Sequence, residues 1–408
     1  MSVKQKLKNL VLSSIVSMSV LSLGVPVSAQ VENLSKTPNL SQDIQEITQY
    51  DSVETPADYP QALLDWYASN IDARSYAVVD VETNKILAHS QGNVPYPIAS
   101  MSKVMSMYLV YKAIDEGKLA LDTMITIPQE IEDYFSFNPD MSAVGLLAGE
   151  KYSVEDLIHG VMFLSGNDAT SALLWEIYGT EQAAVQAIRE QLTDWGFSDF
   201  EFYTVSGIPN LYLPETFWMT GSNESSENKM SAADVALMSQ YVVKEFPHLL
   251  EVTSKNEYTF AAGTDLEQVF YTSNQLLEGQ AYGRPGITGL KSGMTDAAGR
   301  NFVSTSTENG REVITVVMGL FPREDGLEVT TYWETEILLD ALADYPDLYT
   351  LEGLTSNKHL TRVEREAELA KLAEEAAKAE MAEEGIELDN RRNSPVTNFM
   401  RDLFNVFN

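Results

Sequence analysis

Between Ile98 and Leu109 the chain reads Ile98-Ala99-Ser100-Met101-Ser102-Lys103-Val104-Met105, a Ser-x-x-Lys that opens an apolar segment of helical period. No other feature constrains the fold as much. Residues three apart on a helix share one face, so a helix beginning here sets the Lys103 amine beside the Ser100 hydroxyl. A serine is a weak nucleophile until a base takes its proton, and a lysine desolvated near another cation can lose its own proton and act as that base.

Surface helices often match Ser-x-x-Lys by chance, but two later segments change its weight. Ser165-Gly166-Asn167 follows an apolar run that contains Leu157, Ile158, Val161, Met162, Phe163 and Leu164. Lys291-Ser292-Gly293 lies within Thr288-Gly289-Leu290-Lys291-Ser292-Gly293-Met294-Thr295-Asp296. In this order the three elements resemble the Ser-x-x-Lys, Ser-x-Asn and Lys-Thr/Ser-Gly set of penicillin-binding proteins and serine β-lactamases.

The 408 residues are 44% hydrophobic, which suffices for a sizeable core. There is no cysteine, so disulfides, thiolate nucleophiles and Cys-based metal sites are excluded. His89, His159, His248 and His359 form no pair at metal-ligand spacing, and no metal or cofactor is expected. Without a Gly-x-Ser-x-Gly elbow these histidines read as surface or half-buried side chains rather than triad members. A net charge of −33 argues against nucleic-acid partners.

Residues 1–29 carry Lys4, Lys6 and Lys8, an apolar run from Leu10 to Val25 and Val27-Ser28-Ala29, which is the layout of a secretory signal peptide. Export is therefore expected, and the likeness of the motifs to penicillin-binding proteins implies the extracytoplasmic face of a bacterial cell membrane or the cell wall. Residues 30–59 read as an acidic linker, with order beginning near Pro60. Ser75–Val79 and Lys85–His89 read as two strands of a hairpin, and a helix is predicted from about Ser100 to Glu116.

The segment from about Leu121 to Phe246 is mostly helical by pattern, with helix starts at Ser153-Val154-Glu155-Asp156 and Ser231-Ala232-Ala233-Asp234. Trp175, Leu173, Leu174 and Ile177 read as core. Asn301–Thr307 and Val313–Leu320 flank Asn309-Gly310, a hairpin turn signal that places Lys291–Gly293 on or beside a sheet strand. A helix over about Tyr332–Leu342 completes an α+β layout with an antiparallel sheet.

From Tyr76 to Leu342 the chain resembles D-alanyl-D-alanine carboxypeptidases of the low-molecular-mass penicillin-binding proteins. The likeness extends to the text around each motif: Tyr96-Pro97-Ile98-Ala99-Ser100-Met101-Ser102-Lys103, Leu164-Ser165-Gly166-Asn167-Asp168-Ala169, and Gly289 through Gly299. It implies a β-lactamase/transpeptidase-like fold, an antiparallel sheet flanked by helices with a helical insertion; to this the chain adds a C-terminal helical extension, where the family often has a β-rich second domain. The carboxypeptidase domain is expected over residues 60–348.

By the same resemblance Ser100 attacks the carbonyl between two D-alanines of a peptidoglycan stem peptide, Lys103 takes its proton, and β-lactams are covalent inhibitors. Ser165 and Lys291 relay a proton to the departing D-alanine, with Lys291 also keeping Lys103 neutral and binding near the substrate carboxylate. Asn167 bonds the substrate backbone and orients Lys103, the Ser292 hydroxyl binds the terminal carboxylate, and the oxyanion sits between the amides of Ser100 and Met294 beside Gly293.

Asn167 and Asp168 also have a structural reading as the cap of a helix starting there. Gly166, Gly289 and Gly293 read as sites of close backbone approach, Asp296 as a turn residue, and Arg300 and Arg323 as solvated side chains outside the catalytic set. Two departures from the family pattern stand out: Ser292 in place of the commoner threonine, and Ser206-Gly207-Ile208-Pro209-Asn210, expected to bear on the rim of the cleft.

A charged helical spacer is expected over residues 349–392; its Ala/Glu/Lys-rich part, Lys358–Glu384, would span about 40 Å as a helix. Residues 393–408 place Val396, Phe399, Met400, Leu403, Phe404 and Phe407 on one helical face, with Arg391 and Arg392 upstream, which reads as an amphipathic helix for a membrane surface. A serine β-lactamase shares the three motifs, but no Glu-x-x-Leu-Asn segment follows Ser165 to hold a deacylating water. A weakly catalytic wall-binding or scaffolding protein would be expected to lack a motif residue, and none is missing.

Overall fold

The computed structural model describes residues 55–367, apart from 324 and 327, together with residue 371. The signal peptide, linker residues 30–54, most of the spacer and the amphipathic tail lie outside the described residues. The chain divides into two units, Met1–His359 and Leu360–Asn408. In the second unit residues 362–367 are helical, so the described helix starts four residues later than the expected Lys358.

In the first unit the helices are α1 (Gln61–Asn70), α2 (Lys103–Asp115), the single turn α3 (Gln129–Ile131), α4 (Val154–Leu164), α5 (Asn167–Tyr178), α6 (Glu181–Asp194), α7 (Ala232–Glu245), α8 (His248–Thr253) and α9 (Thr331–Asp344). The strands are β1 (Ser75–Asp80), β2 (Lys85–Ser90), β3 (Tyr96–Pro97), β4 (Met124–Thr126), β5 (Lys151–Ser153), β6 (Lys229–Met230), β7 (Glu257–Phe260), β8 (Gln268–Tyr271), β9 (Ile287–Thr295), β10 (Gly299–Glu308) and β11 (Arg311–Leu320). Five of them form one antiparallel sheet in the order β2-β1-β11-β10-β9.

Both faces of this sheet are covered, which is why its strands read as nearly continuous apolar runs. Successive side chains point to opposite faces, so Ala77, Val79, Val303, Ile314, Val316 and Met318 join the core of α2 and α4–α7, whereas Tyr76, Val78, Phe302, Val313 and Val317 join the core of α1 and α9. The predicted Asn309-Gly310 turn joins β10 to β11, with φ of 53° and 76° at its two residues. A two-residue hairpin turn of this sign matches the sheet's twist.

Helix α2 is buried almost all round from Lys103 to Tyr111, as expected of a helix at the centre of the helical layer. Ser153 and Ser231 cap α4 and α7 as the sequence indicates, each accepting from the amide three residues on. The region between α6 and α7 is less helical than its pattern suggests. Residues 195–228 run mainly as irregular chain with two short 3₁₀ turns.

Two histidines are more buried than expected. His159 stacks on Tyr258 at 3.5 Å and burial lowers its pKa to about 4, and His359 bonds Asp234 at 2.7 Å. The compact unit also runs past Leu348. Residues 351–359 fold back on the body, where Ile86 N–H donates to the Thr355 carbonyl at 3.0 Å and Asn357 N–H to the Asn84 carbonyl at 2.6 Å.

Glu334 of α9 is fully buried and ties the turn before β1, accepting from the amides of Asp72 at 2.7 Å and Ala73 at 3.1 Å. Burial outweighs these bonds and raises its pKa from 4.5 to about 7. A carboxyl whose folded pKa is raised stabilises below its unfolded pKa, and that contribution is lost as pH rises to the folded value. Between pH 4.5 and about 7 the loss is on the order of 3 kcal/mol. We therefore expect Glu334→Gln to narrow the difference in urea midpoint between acidic and neutral pH relative to wild type; an unchanged difference would contradict this role.

Candidate active site

Ser100 lies in a 3₁₀ turn, Ala99–Ser102, that runs directly into α2, so the segment begins one turn tighter than an α-helix. The turn puts Lys103 Nζ 2.8 Å from Ser100 Oγ. Ser165 ends α4 in the left-handed region at φ 57°, and Gly166 separates it from α5, which opens with Asn167. The second motif is thus a tight corner between two helices, which brings both of its polar side chains into the cleft. Lys291 is on the edge strand β9, with its Nζ 3.0 Å from Ser165 Oγ and 2.9 Å from the Ser292 carbonyl.

Lys103 is 0% exposed and has two further partners, Asn167 Oδ1 at 2.7 Å and the Ser206 carbonyl at 2.8 Å. Burial and the charge of Lys291 push its pKa well below the usual lysine value, while Asp168 and Glu181 oppose the shift. A neutral amine has two N–H bonds and one lone pair. Asn167 Oδ1 and the Ser206 carbonyl can only accept, so they take the two N–H bonds and leave the lone pair for the Ser100 hydroxyl. Burial lowers the Lys291 pKa to about 7, so this second lysine still carries a proton at neutral pH in a substantial fraction of molecules.

Gly293 lets β9 close on the Ala99–Ser102 turn. A Cβ there would stand 2.9 Å from both Ser100 N and the Ile98 carbonyl oxygen, so only glycine brings the Ser100 amide this close to the strand. Met294, the next residue, is 68% exposed at the lip. Ser292 is set apart from the rest. It pairs with Phe302, whose side chain belongs to the α9-side core, so strand alternation turns it from the face that carries Lys291.

Three expectations change. The Ser206–Asn210 loop is not merely rim, because the Ser206 carbonyl is a direct partner of Lys103. Gly207 makes this possible: at φ 83° a Cβ would fall 1.9 Å from the Ala99 carbonyl oxygen. Asn167 is not a helix cap, since its side chain is committed to Lys103, and α5 has no side-chain cap. Asp168 is structural in another way. Its buried carboxylate accepts from the amides of Val144 at 2.9 Å, Gly145 at 2.8 Å and Leu146 at 3.2 Å, which fixes the loop that borders the Ser165 corner.

A carbonyl partner such as that of Ser206 has no side-chain signature. The one available signal is a glycine next to it in an otherwise apolar segment. Arg323 pairs with Asp72 at 2.6 Å and Asp325 at 2.7 Å, in keeping with its exclusion from the catalytic set.

The profile of the D-alanyl-D-alanine carboxypeptidase family matches residues 63–321. The chain is 28% identical over 252 residues to the D-alanyl-D-alanine carboxypeptidase DacA of Escherichia coli, a match covering 61% of this chain and 56% of that protein. It thus spans little more than half the length of this curated relative. Among solved structures it is similar to a peptidoglycan synthesis regulatory factor from Streptococcus pneumoniae, with 32% identity, a TM-score of 0.63 and coverage of 67% of this chain and 72% of the other.

A penicillin-binding protein from Listeria monocytogenes, solved bound to cefotaxime, is 25% identical with a TM-score of 0.53, covering 67% and 96% of the two chains. The architecture is accordingly the β-lactamase/transpeptidase-like α+β fold expected from the motifs. With the family profile spanning well over half of its residues and all three motifs gathered in one cleft, the chain belongs to the D-alanyl-D-alanine carboxypeptidase family.

Proposed function

We propose that this chain removes the terminal D-alanine from peptidoglycan stem pentapeptides through an acyl-enzyme on Ser100, at the outer side of a bacterial cell membrane. The observation that carries this reading is the Lys103 amine, buried, with both N–H bonds engaged by carbonyl acceptors and its lone pair left to Ser100.

In the first step the Ser100 proton passes to Lys103 Nζ as Oγ bonds to the carbonyl carbon between the two D-alanines. The oxyanion is held by the amides of Ser100 and Met294, beside Gly293. Collapse breaks the C–N bond as Ser165, held by Lys291, gives its proton to the leaving amine and regains one from the Lys103 ammonium, which leaves Lys103 neutral for the second half of the reaction. Water then attacks the ester, with Lys103 again as base, to release the shortened peptide and restore Ser100.

Lys291 supplies positive charge for the terminal carboxylate, with Ser292 at the edge of the strand, and Asn167 bonds the substrate backbone. A β-lactam acylates Ser100 by the same first step, and the cefotaxime complex of the Listeria neighbour supports this. Residues 393–408 would rest on the membrane surface. No described helix is long and apolar enough to cross a membrane.

The test is D-alanine release from a diacetyl-Lys-D-Ala-D-Ala peptide by the purified protein. Release is expected; covalent penicillin labelling without release would show that the acyl group goes to another acceptor.

Because the Lys291 charge lowers the Lys103 pKa, Lys291→Gln should let that pKa rise. The acid limb of penicillin acylation then moves to higher pH, with the rate falling most at the acidic end of the series. An acid limb that stays in place would mean that Lys291 does not tune the base.

A further inference from the structure

Glu181 lies outside the three motifs. It is the first residue of α6, directly after the Thr180 cap, where an acidic side chain ordinarily complements the helix dipole from solvent. Here it is 1% exposed. Its Oε1 accepts from the Val205 amide at 2.9 Å, and its Oε2 accepts from Trp175 Nε1 at 2.8 Å and from Ser171 Oγ at 3.3 Å.

Burial raises its pKa, while the three converging donors and the nearby Lys103 amine favour the ionised form. A buried ionised group is a costly way to achieve packing alone, since apolar side chains of similar volume often serve stability as well or better. What this carboxylate holds is the chain at Val205-Ser206, and the Ser206 carbonyl is one of the two acceptors on Lys103 Nζ. A second pin acts on the same segment, where Ser106 Oγ of α2 donates to the Val205 carbonyl at 2.5 Å.

We propose that Glu181 is a positioning residue for acylation: through the Val205 amide it fixes the Ser206 carbonyl on Lys103 Nζ and so aims the Lys103 lone pair at Ser100. The inference rests on the reading of Ser100 as nucleophile and Lys103 as its base. Charge adds a second effect. The groups facing Lys103 are Ser100 from its 3₁₀ turn, Asn167 and Asp168 from α5, Glu181 from α6, the Ser206 carbonyl from the loop and Lys291 from β9. Glu181 and Asp168 favour the cationic amine, and Lys291 opposes it.

The experiment uses the full chain with Glu181→Gln, which keeps the shape, removes the charge and turns one acceptor into a donor facing a donor. Benzylpenicillin acylation is followed at several concentrations across a pH series, with thermal unfolding as a control of folding. The maximal acylation rate should fall about ten- to a hundredfold, the scale of a misdirected catalytic group, with half-saturation little changed. The acid limb should also move to lower pH, because a negative charge near Lys103 is gone.

Ser106→Ala gives an independent reading on the same segment: a smaller fall in rate with no movement of the acid limb, since no charge changes. Wild-type acylation and an unmoved acid limb in folded Glu181→Gln would overturn the role of Glu181. If that variant fails to fold, wild-type acylation by Ser106→Ala would do so. An unaltered chain without Ser100-dependent acylation would overturn the underlying reading as well, which separates the two failures.

Discussion

Ser100→Ala is expected to abolish both penicillin labelling and D-alanine release while leaving the fold in place. Ser100 Oγ bonds Lys103 Nζ at 2.8 Å, so its loss leaves the amine with two of its three partners. The stability change should stay within about 1 kcal/mol, as for most substitutions that open no cavity and strand no charge. The catalytic change should be complete, because without the oxygen no ester can form at residue 100. Thermal unfolding and fluorescent penicillin labelling of the same preparation check both halves. A folded variant that still labels would place the nucleophile elsewhere.

Lys103→Met should be nearly as damaging to acylation, by a different route. Methionine fills a similar volume without a lone pair, so Ser100 keeps its oxygen but loses the base that takes its proton. Positioned proton transfer contributes about 10²- to 10⁴-fold, and here it also governs activation of the nucleophile, so a fall of ~10³-fold is expected. Stability should also fall. Asn167 Oδ1 and the Ser206 carbonyl each lose a donor in a buried site, at about 1–3 kcal/mol each, partly offset by the apolar side chain. A drop of less than tenfold in the second-order acylation rate would show that Lys103 is not the principal base.

Both variants bear on groups that the sequence already marked. The motifs were legible because each is local: a turn of helix sets Ser100 beside Lys103, and a three-residue corner presents Ser165 with Asn167. The Asn309-Gly310 hairpin and the Ser153 and Ser231 caps were legible for the same reason, since a short run of residues determines the backbone there. Likewise the short apolar, β-branched runs in 75–80 and 311–320 read as strands buried on both faces.

What the sequence concealed is long-range or written in backbone. The Ser206 carbonyl acts on Lys103 across 103 positions, and any residue type could supply that oxygen. The Asp168 carboxylate is spent on three amides of a loop more than twenty residues earlier, where a local reading sees only a helix start. Glu181 carries no such signal either: its place after a capping threonine implies solvent, yet it is buried with Ser171, Trp175 and the Val205 amide as partners. Ser292 shows the converse limit. Strand alternation turns it away from Lys291, a consequence of its pairing with Phe302 that the motif alone does not carry.

The direct measurement of the central claim is the location of the covalent bond. The protein is incubated with benzylpenicillin, digested and mapped by tandem mass spectrometry. A single penicilloyl group on Ser100 is predicted, absent from Ser100→Ala and sharply reduced in Lys103→Met. A penicilloyl group on Ser165 or any other residue, or no adduct on the folded wild-type protein, would contradict the account.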